Sequence, residues 1–145
     1  MDGPRNRRNF ESQVLGIFLE MIVERNERVV REFITDWSNL DANKLVEYFT
    51  EDGIYHNMPM QPVSGHDNLR KFIAAFLNGW SQTNWDVLTL ISKDNIVIAE
   101  RLDQTIVAGK KVDLPCCGVF EMRDGKIAVW RDYFDMGTYT KAISA

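Results

Sequence analysis

The sequence has little of what enzymes commonly use for nucleophilic or metal chemistry. It holds only two histidines, His56 and His66, and two cysteines. No G-x-S-x-G occurs, which argues against a Ser–His–Asp triad. No His/Cys spacing suits zinc, and no Gly-rich loop suits a nucleotide, so neither a metal nor another cofactor is expected. Cys116 and Cys117 are adjacent. Neighbours on a strand point to opposite faces, so a bridge between them is strained. They read as two reduced, partly buried thiols of a cytoplasmic protein. There is no basic stripe, and the net charge is −4, which argues against a nucleic-acid partner. No apolar run is long enough to span a bilayer. Arg5, Arg7 and Arg8 open the chain without a clean apolar segment and cleavage site behind them, so no signal peptide is read.

What is present is an ordinary globular composition, 45% hydrophobic and 26% charged. Four Trp, eight Phe and four Tyr suit a well-filled core, an apolar pocket, or both. Residues 1–10 are polar and basic and read as a mobile tail. Residues 11–145 read as a single domain.

Val14, Leu15, Phe18, Leu19 and Ile22 recur at helical spacing, followed by Val29, Val30, Phe33, Ile34 and Trp37. They form one long helix or two short ones, with Glu24 to Arg28 as either a break or a solvated face. Asp41 is placed to cap a short helix carrying Leu45, Tyr48 and Phe49. A strand after Gly53 is stopped by Pro59. A third helix presents Leu69, Phe72, Ile73, Phe76, Leu77 and Trp80 on one stripe. The period then changes, and strands are expected over 85–91, 96–104, 112–122 and 126–135. Hairpin turns fall at 108–110 and 123–126. A short helix follows near 138–142. Helices first and a strand meander after imply an α+β fold, with helices covering one face of a curved, largely antiparallel sheet.

Alternation sorts the strand residues by face. Val97, Ala99, Arg101 and Asp103 share one face. Trp130, Asp132 and Phe134 share another, so a carboxylate lies between two aromatics. Tyr55 and Asn57 point together, as do Leu114, Cys116 and Gly118. If these faces converge under the helices, the concave side holds two Asp, an Arg, a Tyr and an Asn among aromatics. Buried charges must be paired, and an Arg between two carboxylates does this with its forked donors. The same pattern also fits both Asp facing solvent, since a one-residue slip exchanges the faces.

The segments EYFTEDGIYHNMP, AERLDQT and CGVFEMRDGKIAVWRDYFD resemble limonene-1,2-epoxide hydrolase. The similarity runs from about residue 30 to 139, with Tyr-x-Asn, Arg-x-Asp and Trp-Arg-Asp in matching order and spacing. The resemblance implies a nuclear-transport-factor-2-like cone, usually a homodimer. It implies that Asp103, Arg101 and Asp132 are the catalytic triad, with Asp132 as base and Asp103 as acid. It implies that Asp132, Tyr55 and Asn57 hold the attacking water.

Two Asp act as acid and base at one pH only if their surroundings push their pKa values apart. An Arg between them favours one as carboxylate, while burial and the neighbouring charge keep the other protonated. The partners are then a small apolar epoxide and water. Candidates for the apolar pocket are Trp37, Phe76, Trp80, Trp85, Leu114, Cys116, Phe134 and Tyr139, each of which equally fits plain core. This set is more aromatic than the aliphatic lining of the family it resembles, which points away from limonene epoxide itself. Two rivals remain, a cone-fold isomerase of the ketosteroid type and a non-catalytic ligand-binding module. Neither needs Arg101 between two carboxylates.

Overall fold

The computed structural model describes residues 4–145, and side chains from residue 6. Helix α1 spans Pro4–Asp36 without interruption and passes into a 3-10 turn, Trp37–Asn39. The stretch from Glu24 to Arg28 is therefore no break, although Asn26 within it is buried. Helical backbone also reaches into the expected tail. Residues 4–10 carry helical backbone, because no proline or glycine interrupts residues 5 to 15. Residues 1–3 of that expected tail lie outside the described residues.

Asp41 caps α2 (Ala42–Val46), its side chain accepting from the amides of Asn43 at 3.0 Å and Lys44 at 3.2 Å. Strand β1 (Phe49–Asn57) leads through β2 (Val63–Ser64) into α3 (His66–Leu77). Four long strands follow as a meander, β3 (Trp80–Lys93), β4 (Ile96–Val107), β5 (Lys110–Arg123) and β6 (Lys126–Phe134). Helix α4 (Met136–Ser144) closes the chain, capped by Asp135.

Trp80 is a correction. The apolar stripe of α3 runs past Leu77 in the sequence, but the helix does not. Asn78 is extended and Gly79 sits at φ 99°, a conformation a side chain resists. The chain turns there, and Trp80 becomes the first residue of β3.

The six strands form one curved sheet in the order β2-β1-β6-β5-β4-β3. All neighbours are antiparallel except β1 and β6, which run parallel. That one pairing sets Asn57 beside Asp132 and Tyr55 beside Trp130. Helices cover one face of the sheet. Phe33 of α1 is fully buried and meets Trp130 edge-on at 5.1 Å and Phe49 at 5.6 Å. Leu69 and Ile73 of α3 are equally buried. Each such side chain contributes roughly 1.5–3 kcal/mol by leaving water. No helix among the described residues is long and apolar enough to cross a membrane.

Candidate active site

The alternation along β4 leads from apolar to charged residues on the covered face. Val97 and Ala99 are fully buried, then Arg101 is 0% and Asp103 6% exposed. On β6, Asp132 is 3% exposed, and on β1 Tyr55 and Asn57 are 3% and 2% exposed. The structure brings all five together. The solvent-facing alternative for the two Asp does not hold.

Arg101 is the centre of the cluster. Its Nε and Nη2 donate to Asp103 at 3.0 and 2.8 Å. Its Nη1 and Nη2 donate to Asp132 at 3.1 and 3.0 Å. The guanidinium thus clasps both carboxylates in two-toothed fashion. Its Cζ also lies 4.7 Å from the Trp85 ring and 5.8 Å from the Trp130 ring. Such contacts favour a cation removed from water. Burial works against the charge on Arg101, but Asp132 and Asp103 outweigh it and raise its pKa further.

Room for that guanidinium comes from Gly118 of β5. It is paired with Ala99 on one side and Asp132 on the other. A Cβ there would stand 2.7 Å from Arg101 Nη1 and 2.9 Å from Trp130 Nε1. Any side chain at 118 would push the Arg out of its seat.

The two carboxylates share one cation, so the trio carries one net negative charge when both are ionised. Burial pushes the Asp103 carboxyl above its usual range. The Asp132 charge adds to this, and Arg101 opposes it. Tyr55 is held well above the ordinary phenol range, by burial first and by Asp132 second, so it keeps its O–H. Its ring stacks on Trp130 at 4.2 Å, which fixes its direction. The carbonyl Oδ1 of Asn57 is buried and accepts no hydrogen bond from the protein. A buried acceptor of this kind asks for a donor, and a water is the natural one.

One oxygen each of Asp103 and Asp132 lies within 4.8 Å of the Cys116 sulfur, a grouping of metal-ligand types. All four carboxylate oxygens accept from Arg101, however, and its guanidinium takes the place a metal cation would need. Cys116 itself is pushed far up by burial and stays a thiol, donating weakly to the Leu114 carbonyl.

Four members of the cluster, Tyr55, Asn57, Asp103 and Asp132, line a cavity of about 70 Å³, and Arg101 does not. That is several times the roughly 10–15 Å³ one water needs on this measure. The rest of the lining is almost wholly apolar. It is formed by Trp37, Phe76, Trp80, Trp85, Leu114, Cys116, Phe134 and Tyr139. Trp37 stacks on Trp85 at 4.4 Å, and Trp85 donates its indole N–H to Thr83 at 2.9 Å. Met136 also lines the cavity and was not foreseen. It sits three residues before Tyr139 on α4, and that helical spacing was the available signal. Neither imidazole reaches the cavity. His56 donates to the Met60 carbonyl and His66 to that of Phe49.

The model of the limonene-1,2-epoxide hydrolase catalytic domain matches residues 24–144. Epoxide hydrolase EphG of Mycobacterium tuberculosis is 30% identical over 109 residues, covering 74% of this chain and 71% of that one. Among solved structures, an LEH-like epoxide hydrolase from M. tuberculosis superposes with a TM-score of 0.73 at 24% identity, over 84% of this chain and 91% of that one. A protein of ketosteroid isomerase-like fold from Catenulispora acidiphila superposes with a TM-score of 0.72 at 15% identity, over 79% and 90%. These likenesses place the fold among the nuclear-transport-factor-2-like cones. The family match spans every strand that contributes to the cluster, and the chain belongs to the limonene-1,2-epoxide hydrolase family.

Proposed function

We propose that this protein opens an apolar, cyclic or terpene-like epoxide with water in a single step, giving a vicinal diol. The observation that carries the reading is one guanidinium gripping two buried carboxylates at the wall of an aromatic cavity. Asp132 is the base and Asp103 the acid. Asp132, Tyr55 and Asn57 hold the water. The unpartnered Asn57 Oδ1 takes one of its protons, and the Tyr55 O–H donates to its oxygen. Asp132 removes the other proton as the water oxygen bonds to an epoxide carbon. The carbon–oxygen bond breaks, and the leaving oxygen takes the proton of Asp103. The upward push on Asp103 keeps that proton available. Orientation of the water and acid–base help then act together, the latter worth about 10²–10⁴-fold per group.

An isomerase of the ketosteroid type needs an Asp base and an oxyanion donor. It leaves Arg101 and the second carboxylate without a task. A binding module would bear the cost of burying three charges for no gain.

The test is isotopic. An Asp nucleophile would form an ester, and water would then attack the ester carbonyl. No imidazole faces the cavity to activate that second step. With cyclohexene oxide, excess enzyme and ¹⁸O water, the diol should carry label in its first turnover. Unlabelled diol, with label later found in Asp103 or Asp132 by peptide mass spectrometry, would overturn the reading.

A further inference from the structure

The first five turns of α1 project from the body of the protein. Every described residue from Asn6 to Met21 is exposed, Gly16 alone being half-buried. Yet this arm carries Phe10, Val14, Leu15, Ile17, Phe18 and Met21, each between 48% and 66% exposed. Phe10, Val14, Ile17 and Met21 follow one another at four, three and four residues, the seam of a helix that packs on another helix. Phe18 widens that seam on one side, whereas Leu15 and Leu19 lie more than a right angle round the helix from its centre. The midpoint of the stripe is residue 16.

We infer that this arm pairs head to tail with the same arm of a second copy of the chain. Three observations select that occupant. The first is area. Large apolar side chains offer about 200 Å² each when free, so the five that share this face, each about half exposed, present roughly 500 Å². A standard protein interface takes about 800 Å² from each partner. The flanking residues of a paired helix supply the rest. The second is charge. Arg7 and Arg8 stand at one end of the arm, Arg7 paired with Glu11, and Glu20 and Glu24 lie at and just beyond the other. Head-to-tail pairing brings ends of opposite sign together, and parallel pairing brings like ends together. The third excludes lipid. Helices that lie in a membrane surface carry Lys and Arg on the polar face. Apart from Arg7 and Arg8 at its start the arm holds neither, and the polar side chains of residues 9–24 are Asn9, Glu11, Ser12, Gln13, Glu20 and Glu24.

The pairing is self-complementary, as a twofold contact requires. It does not rest on the hydrolase reading, because no arm residue lines the cavity.

Cysteine cross-linking of the full-length chain tests it. With the midpoint at residue 16, two copies of residue 17 lie about 3 Å apart along the helix axis, at 1.5 Å per residue. Two copies of residue 10 lie about 18 Å apart on the same count. Ile17→Cys should give a disulfide-linked dimer under mild oxidation, on a background set by the native chain with Cys116 and Cys117. Phe10→Cys should give at least tenfold less. Adding Phe18→Glu to Ile17→Cys should remove the cross-link, and diol formation should stay unchanged. Cross-linking of Ile17→Cys no greater than that of the native chain would overturn the inference. Equal cross-linking at positions 10 and 17 would overturn the head-to-tail orientation. Sedimentation of the chain with phosphatidylserine vesicles, with residue 17 shielded from oxidation by lipid, would assign the arm to a membrane instead.

Discussion

Gly118→Ala tests the central geometric claim with a single methyl group. The added Cβ would lie 2.7 Å from Arg101 Nη1 and 2.9 Å from both Phe120 Cε2 and Trp130 Nε1. Ordinary contact begins near 3.4 Å, so the guanidinium must move by roughly 0.7 Å. Two of its neighbours are large rings packed in the core, and they leave little room for relief. Over-packing of this kind costs about 1–3 kcal/mol. For a chain of this size about 2 kcal/mol lowers Tm by roughly 4–8 °C. The functional loss should be larger than the stability loss. Arg101 holds both carboxylates through four hydrogen bonds of 2.8–3.1 Å, and moving it turns the proposed acid and base together. A misplacement of about 1 Å can cost 10²-fold, so kcat should fall on the order of 30- to 100-fold. The assay is diol formation from cyclohexene oxide well below Tm, beside a thermal melt. Native kcat with native Tm would refute the reasoning, because the guanidinium would then have room for a side chain at 118.

Asp103→Asn and Asp132→Asn should each abolish diol formation in a folded protein, and near-native activity in either would remove that residue from its role. Burial lifts the Asp103 carboxyl above its ordinary 3.8, so the folded protein keeps a proton there that the unfolded chain has lost. Its contribution to stability is whole below that ordinary value and falls as pH rises through the raised one, and kcat should fall along the same limb. A pH–rate profile without an alkaline limb would contradict this. Tyr55→Phe and Asn57→Ala should lower kcat more than they raise KM, as groups that orient water do, whereas a pure KM effect would place them on the substrate. Trp80→Ala should shift preference toward bulkier epoxides across a substrate panel, and an unchanged profile with a lower Tm would make Trp80 plain core.

The inward faces of the strands were legible because alternation needs only the strand itself. Arg101 and Asp103 are two residues apart, and Trp130 and Asp132 likewise, so each pair had to share a face. Burial on the covered side, rather than exposure, was set by the helices above, which no single strand reports. The neighbourhood of Asn57 and Asp132 was not legible from either segment, since it comes from a parallel pairing between distant strands. Trp80 was misplaced because helical periodicity outlasted the helix, and the backbone of Gly79 decided the stop. The helical backbone of residues 4–10 was not legible, because a polar, basic composition there was read as a tail. The residues there are ordinary helix formers joined to a long helix already begun, and extending a helix is far easier than starting one.

The parallel contact between β1 and β6 also sets the order in which the protein can assemble. The meander β3 to β6 closes through tight hairpins, each joining segments that are neighbours along the chain. Asn57 meets Asp132 only across roughly 75 residues of intervening chain, a closure that lowers conformational freedom far more than a hairpin does. Contacts of such long sequence separation slow folding. Arg101 finds both its carboxylates within the meander, through β4, β5 and β6. Tyr55 and Asn57 arrive with β1. During refolding the charged trio is therefore expected to form before Tyr55 and Asn57, the pair proposed to hold water, and recovery of diol formation should lag behind recovery of the hairpins.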